Sequence, residues 1–266
     1  MASFSVVNNI SAVNAQANLA ATNIGLNKAL KALSSGLRIN SSGDDAAGLA
    51  VANSYRSTVA VLNQGVRNAN DGLSQLQIKD GALNNISSLL DRLSTLATES
   101  ASSSSSVNRT TLNTEFQDVL TEINRESAVA SLTTSTGFSI FVSNDSTNGT
   151  IGGTIGAVTT TALSINASTI ATAGGAATAV AAIAAAVTTL GGIQASVGTI
   201  ENRLGYAVSL AQSQIVNNTA AESRIRDANI AEESSNLTRY NILTQSGIAA
   251  LAQANSSSSA VLSLLR

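Results

Sequence analysis

Between Leu62 and Ala97 an apolar residue returns every seventh position: Leu62, Ala69, Leu76, Leu83, Leu90 and Ala97. Val66, Leu73, Ile86 and Leu93 fall between them and widen the line into one continuous apolar face. A repeat of 3.5 to 3.6 residues sustained this far predicts one helix lying along others and excludes a strand. At about 1.5 Å per residue the stretch runs roughly 54 Å, beyond the usual length of a core helix in a compact domain. The rest of the chain must supply partners for that face.

Composition agrees with thin helical packing. Of 266 residues 44% are hydrophobic but only 3% aromatic, so the apolar side chains are mostly Ala, Leu, Ile and Val. Pro is 0, which removes the strongest helix breaker from the whole length. With a net charge of −2 and 11% charged residues, no basic face is available to follow a phosphate backbone, so nucleic acid is not an expected partner. Cys 0 and His 0 exclude disulfides, thiol nucleophiles, His-based triads and zinc sites built on Cys or His; no cofactor and no metal is expected. The N-terminal residues lack the charged, apolar and small-residue regions of a cleaved signal peptide, so a secreted form is expected to leave by a route that clips none.

The N-terminal segment carries two apolar lines, Val6, Ile10, Val13, Ala17, Ala20, Ile24 and Leu19, Leu26, Leu30, Leu33, Leu37. A helix with two such lines needs partners on two sides, and alone it does not hold a fold. Gly36, Gly43 and the Ser/Asn cluster around Asn40 break it, and Asp44 or Asp45 can cap the helix that follows. As an acid/base pair those carboxylates are a poor candidate, because adjacent residues on a helix do not face each other. Ala101–Ser106 reads as a serine loop, and Leu112, Phe116, Val119 and Ile123 place a third helix after it. From Gly137 the character changes. Phe138–Val142 is strand-like, Asn148-Gly149 signals a hairpin turn, and Thr150 to Gly175, with Leu163 and Ile165 alternating, predicts short strands and loops.

Ala176 to Val187 is almost wholly apolar but shorter than the roughly 20 residues a bilayer requires, so no membrane insertion is expected. Its seven-residue line continues through Ile183, Leu190, Val197, Leu204 and Ala211, a returning helix suited to the Leu62–Ala97 face. The last segment is again amphipathic, with Ile230, Leu237, Ile248 and Leu251 on one side and Ile242 and Ala249 on another. The two ends therefore offer apolar lines that fit partner helices: Val6, Ile10, Val13, Ile24, Leu30, Leu33 and Leu37, with Ile230, Leu237, Ile248 and Leu251.

Leu33–Asn53 (LSSGLRINSSGDDAAGLAVAN), Arg67–Ile86 (RNANDGLSQLQIKDGALNNI), Glu222–Asn255 and the closing VLSLLR (Val261–Arg266) closely resemble bacterial flagellin. The likeness covers about 2–124 and 197–266 and leaves out about 138–192. It implies a mainly α chain: an elongated helical rod with a short β-hairpin region, and a terminal two-helix coiled coil formed by both chain ends. In residues, 1–42 and 223–266 would be the two halves of the coiled coil, 43–137 and 176–222 the rod, and 138–175 a short variable insert. The implied function is a structural, non-enzymatic subunit of the flagellar filament, secreted by the flagellar type III route. Implied partners are copies of itself, an export chaperone on the C-terminal segment, the filament cap protein and the hook–filament junction protein. An innate-immune receptor sees some flagellins at positions matching Arg92, Leu96 and Glu115, with Asp91 here where that pattern usually has Gln. Many flagellins carry O-linked glycans, and the resemblance makes Ser and Thr in Ala101–Ser106 and Thr133–Thr172 candidate acceptors here.

Other readings are weaker. A hook-associated junction protein shares the helical layout but stops at few copies. A membrane-active protein would need a longer uninterrupted apolar run in its terminal helices. An enzyme would need a carboxylate pair or a Ser-Lys pair on Lys28, Lys31 or Lys79, and Lys28 and Lys31 lie on the helix predicted to assemble.

Overall fold

The computed structural model describes residues 8–102, 108–143, 145 and 148–263. The chain is mainly helical: α1 Ile10–Ser35, α2 Ala46–Ala101, α3 Arg109–Val129, strands β1 Thr136–Phe141 and β2 Thr150–Ile155, α4 Ala173–Arg226 and α5 Ile230–Ser263. It divides into two units, Met1–Ser57 with Asn217–Arg266, and Thr58–Val216.

The second unit is built on the seven-residue lines. Leu62, Ala69, Leu76, Leu83, Leu90 and Ala97 of α2 are all buried, and so are Ile183, Leu190, Val197, Leu204 and Ala211 of α4. The two lines meet in one core with Phe116, Leu120 and Ile123 of α3. On α3 the buried face is rotated slightly from the one expected: Leu120 is buried, whereas Leu112 and Val119 are only half-buried at its margin. By length and composition α4 is a helix that could cross a membrane, longer than its Ala176–Val187 run suggests, but Ala176, Ala179, Ile183, Ala186 and Leu190 are spent on this core. Polar links fix the helices against each other. Gln194 Nε2 donates to Asn84 Oδ1 at 3.2 Å, and Arg92 pairs with Glu115. Lys79 Nζ donates to the carbonyls of Ala130 and Ser131 at 2.9 and 3.2 Å, covering the C-terminal end of α3 with a cation, where the helix dipole favours one. Burial holds that amine below its ordinary value.

The hairpin is antiparallel, Thr136 opposite Ile155 through Phe141 opposite Thr150, and lies on α2. Gly65 is what lets it dock: a Cβ there would stand 1.8 Å from the carbonyl oxygen of Val142. Asn68 Nδ2 donates to the Phe141 carbonyl at 3.1 Å, and Arg203 Nη1 of α4 donates to the Gly152 carbonyl at 2.9 Å.

The strands expected through Gly175 stop at Ile155 among the described residues. Residues 156–172 are turns, because α3 takes their backbone groups singly instead of a ladder. Asn124 Oδ1 accepts from the Thr160 N–H at 3.0 Å, Asn113 Oδ1 accepts from the Ile170 N–H at 2.9 Å, and Gln117 Nε2 donates to the Ser168 carbonyl at 3.0 Å. Leu163 and Ile165 are both buried, with Ser164 between them in the left-handed region (φ 59°), so their alternation in sequence marks a tight turn and not a strand.

Candidate assembly surface

In the first unit α1 packs along α5. Asn9 starts α1 with its Oδ1 accepting from the Ala12 N–H at 3.1 Å, while its Nδ2 donates across to the Ala254 carbonyl at 2.8 Å. The helices approach closely at two glycines. The Tyr240 ring lies where a Cβ on Gly25 would sit, 2.5 Å from it, and Leu19 lies likewise over Gly247 at 2.8 Å. Gly36 ends α1 in the left-handed conformation (φ 73°), its N–H donating to the Ala32 carbonyl. The chain then crosses to the other end: Arg38 N–H donates to the Arg226 carbonyl at 2.7 Å, and Ala228 N–H to the Gly36 carbonyl at 2.9 Å.

The two aspartates divide their work. Asp45 caps α2, its Oδ1 accepting from the Gly48 N–H at 2.9 Å. Asp44 ties the preceding turn, accepting from the N–H groups of Asn40 and Ser41 at 3.2 and 3.0 Å, and pairs with Lys28 at 3.4 Å. Those Ser41 hydrogen bonds above all hold the Asp44 carboxyl below its ordinary 3.8. A depressed carboxylate adds stability that is present above the unfolded value and lost as pH falls through the folded one. Acidification below about pH 3.8 is therefore expected to cost the Asn40 and Ser41 amides their protection from hydrogen exchange, and Asp44→Asn to reproduce much of that loss at neutral pH.

What the α1–α5 pair leaves uncovered is its main feature. Buried apolar residues on α1 are only Ala29 and Ala32, and on α5 there are none among those whose side chains are described. The large residues point outward: Ile10, Val13, Ile24 at 72% exposure and Leu30 on α1, and Ile230, Ile242, Leu243 and Ile248 on α5. Leu33, Leu37, Leu237 and Leu251 are half-buried, and Val6 lies outside the described residues. Ile242 and Leu243 extend the surface beyond those residues; Ile242 belongs to the second apolar side read from the sequence with Ala249, whereas Leu243 is on neither line.

In the second unit Arg92 and Glu115 are exposed or half-exposed and bonded to each other, Arg92 Nε donating to Glu115 Oε1 at 2.9 Å. Leu96 is turned into the core at 1% exposure. Among the described residues no group of three or more His, Cys, Asp or Glu side chains could hold a metal ion.

Comparison with known proteins identifies the family. Residues 6–144 match the family described as bacterial flagellin N-terminal helical region, and residues 180–265 that described as bacterial flagellin C-terminal helical region. The chain is similar to Flagellin FlaB1 of Treponema pallidum (strain Nichols), 35% identical with 97% of this chain and 98% of that one covered. It is similar to the same extent to the flagellin of Halalkalibacterium halodurans, at 36% identity over 97% and 98%. Among solved structures it matches a crystal structure of Bacillus cereus flagellin at a TM-score of 0.47 and 24% identity, over 59% of this chain and 94% of that one. The chain belongs to the bacterial flagellin family: it is a structural, non-enzymatic subunit of the extracellular flagellar filament, a homopolymer of such chains.

Proposed function

We propose that the outward apolar residues of α1 and α5 drive addition of each subunit to the filament. The residues that carry this role are the exposed Ile10, Val13, Ile24 and Leu30 with Ile230 and Ile248, together with the half-buried Leu33, Leu37, Leu237 and Leu251 beside them, continued by Val6 at the N-terminal side. The observation behind it is the contrast between the apolar lines of the two units. The seven-residue lines of α2 and α4 are buried within one subunit, whereas Ile24, Ile10 and Ile248 remain more than half exposed on their own helices. Head-to-tail contacts of that kind do not close into a ring and propagate as a helix.

The five-part layout serves this function. Segments 1–42 and 223–266 act as the assembling ends, 43–137 and 176–222 as the self-supporting body, and 138–175 as the outer insert. The same exposed ends explain the partners that the family resemblance implies: a chaperone that covers the C-terminal segment before export, the cap protein over the growing tip, and the junction protein at the base. Contact with an innate-immune receptor would run through Arg92 and Glu115, with Leu96 supporting the helix from beneath.

Replacing Ile24 or Ile248 by Ser removes about half of the roughly 1.5–3 kcal/mol that full burial of such a side chain provides. Each is expected to raise the critical concentration for seeded elongation roughly 4- to 12-fold, while leaving the melting of the monomer within about 0.5 kcal/mol of the parent. Sedimentation of seeded mixtures and thermal melting by circular dichroism measure the two effects. Unchanged elongation by both variants would remove these side chains from the assembly surface.

A further inference from the structure

One carboxylate of the second unit has a buried oxygen without a hydrogen-bond partner. Glu201 Oε1 on α4 is buried and has no hydrogen-bond partner. The Gln194–Asn84 hydrogen bond sets the antiparallel register of α4 on α2. From that contact Glu201 lies seven residues along α4 and Asp80 four residues back along α2, in the same direction, roughly 10 and 6 Å away. The two residues therefore lie within about one helical turn of each other along the seam, close enough for the charge of Asp80 to bear on Glu201. Asp80 is already tied to its own helix, its Oδ2 accepting from Asn84 Nδ2 at 3.2 Å.

Among the described residues no salt bridge joins a cation to Glu201, and the nearby cations are engaged elsewhere. Lys79, next to Asp80 on α2, is turned to the carbonyls of Ala130 and Ser131, and Arg203 of α4 donates to the Gly152 carbonyl. β1 and β2 contain no titratable residue, and on α3 Glu122 and Glu126 are paired with Arg125. A carboxylate oxygen buried without a donor beside a second carboxylate is costly when both are ionised and favourable when one carries a proton.

We propose that Glu201 and Asp80 form a proton-sensitive contact between α2 and α4, which holds the two long helices together when one proton resides on Glu201 and loosens them when it leaves. Burial, and after it the charge of Asp80, hold the Glu201 carboxyl above its ordinary 4.5. An acid whose folded value is raised contributes stability that is complete below the unfolded value and is lost as pH rises through the folded one. The sign is opposite to that of Asp44, whose contribution disappears on acidification.

The test is the unfolding midpoint of the full-length, unpolymerised chain at about pH 5 and about pH 7.5, both above the range in which Asp44 titrates. Glu201→Gln supplies a neutral donor in place of the ionised oxygen. It is expected to raise the midpoint at the higher pH by about 2–4 °C and to shrink the difference between the two pH values. Asp80→Asn should shift the midpoint in the same direction, and Asp91→Asn, at an exposed position on the same helix, should leave the pH difference unchanged. A Glu201→Gln chain with the parent's pH difference, or with a lower midpoint at the higher pH, would overturn the proposal.

Discussion

A chain lacking residues 1–37, or one lacking residues 230–266, is expected to remain helical and soluble and to fail to elongate filament seeds. The first half of that result follows from the second unit, where α2, α3, α4 and the hairpin share a core that takes nothing from either deleted segment. The second half follows from what the deletions remove. Each deletion takes away four large apolar residues, about half exposed in the subunit, which would contribute on the order of 3–6 kcal/mol when neighbours cover them. Losing one helix also strips its partner of the contacts around Gly25 and Gly247. Electron microscopy of seeded mixtures gives the outcome directly. Normal elongation by both truncated chains would show that the terminal helices are dispensable for assembly.

Leu90→Ala is expected to act on the other half of the molecule and in the other way. Leu90 is fully buried on the seven-residue line of α2, in the cluster shared with α4 and α3. Truncation there removes apolar contact and leaves a cavity, at a cost of about 2–5 kcal/mol. For a chain of this size that lowers the melting temperature by roughly 5–15 °C. Elongation at temperatures well below the new midpoint should persist, since the outward residues of α1 and α5 are untouched. Ile24→Ser should show the reverse pattern, intact melting with impaired elongation. A Leu90→Ala chain that melts like the parent would mean that the α2 line is not the seam of the second unit.

These two outcomes separate what the sequence revealed from what only the fold could. The lines Leu62 to Ala97 and Ile183 to Ala211 were legible because a helix repeats its face every 3.5 to 3.6 residues, and all their members are buried. The terminal lines were legible for the same reason, though periodicity alone cannot tell a buried face from one waiting for a partner. The structure draws that distinction through Ile10, Ile24, Ile230 and Ile248.

Features that depend on residues far apart in the chain left no local mark. Nothing near Gly65 in sequence announces the Val142 carbonyl that lies over it. Leu163 and Ile165 alternate as strand residues do, but Asn113 and Asn124 on α3 take the backbone groups that a neighbouring strand would have paired. Capping by Asp44 or Asp45 was correctly placed to within one residue, and only geometry assigns the cap to Asp45 and the turn to Asp44. Glu201 and Asp80 are separated by more than a hundred residues, and only the register of α4 on α2 lets the charge of one bear on the other.

The account rests on α1 and α5 being incompletely covered in the subunit and covered in the filament. Amide hydrogen exchange, followed by mass spectrometry on the free chain and on the same chain after seeded polymerisation, measures this in one comparison. Peptides from α1 and α5 should exchange quickly in the monomer and become strongly protected in the filament, while peptides from Leu62–Ala97 and Ile183–Ala211 are protected in both. Strong protection of α1 and α5 already in the free monomer, unchanged on polymerisation, would contradict it.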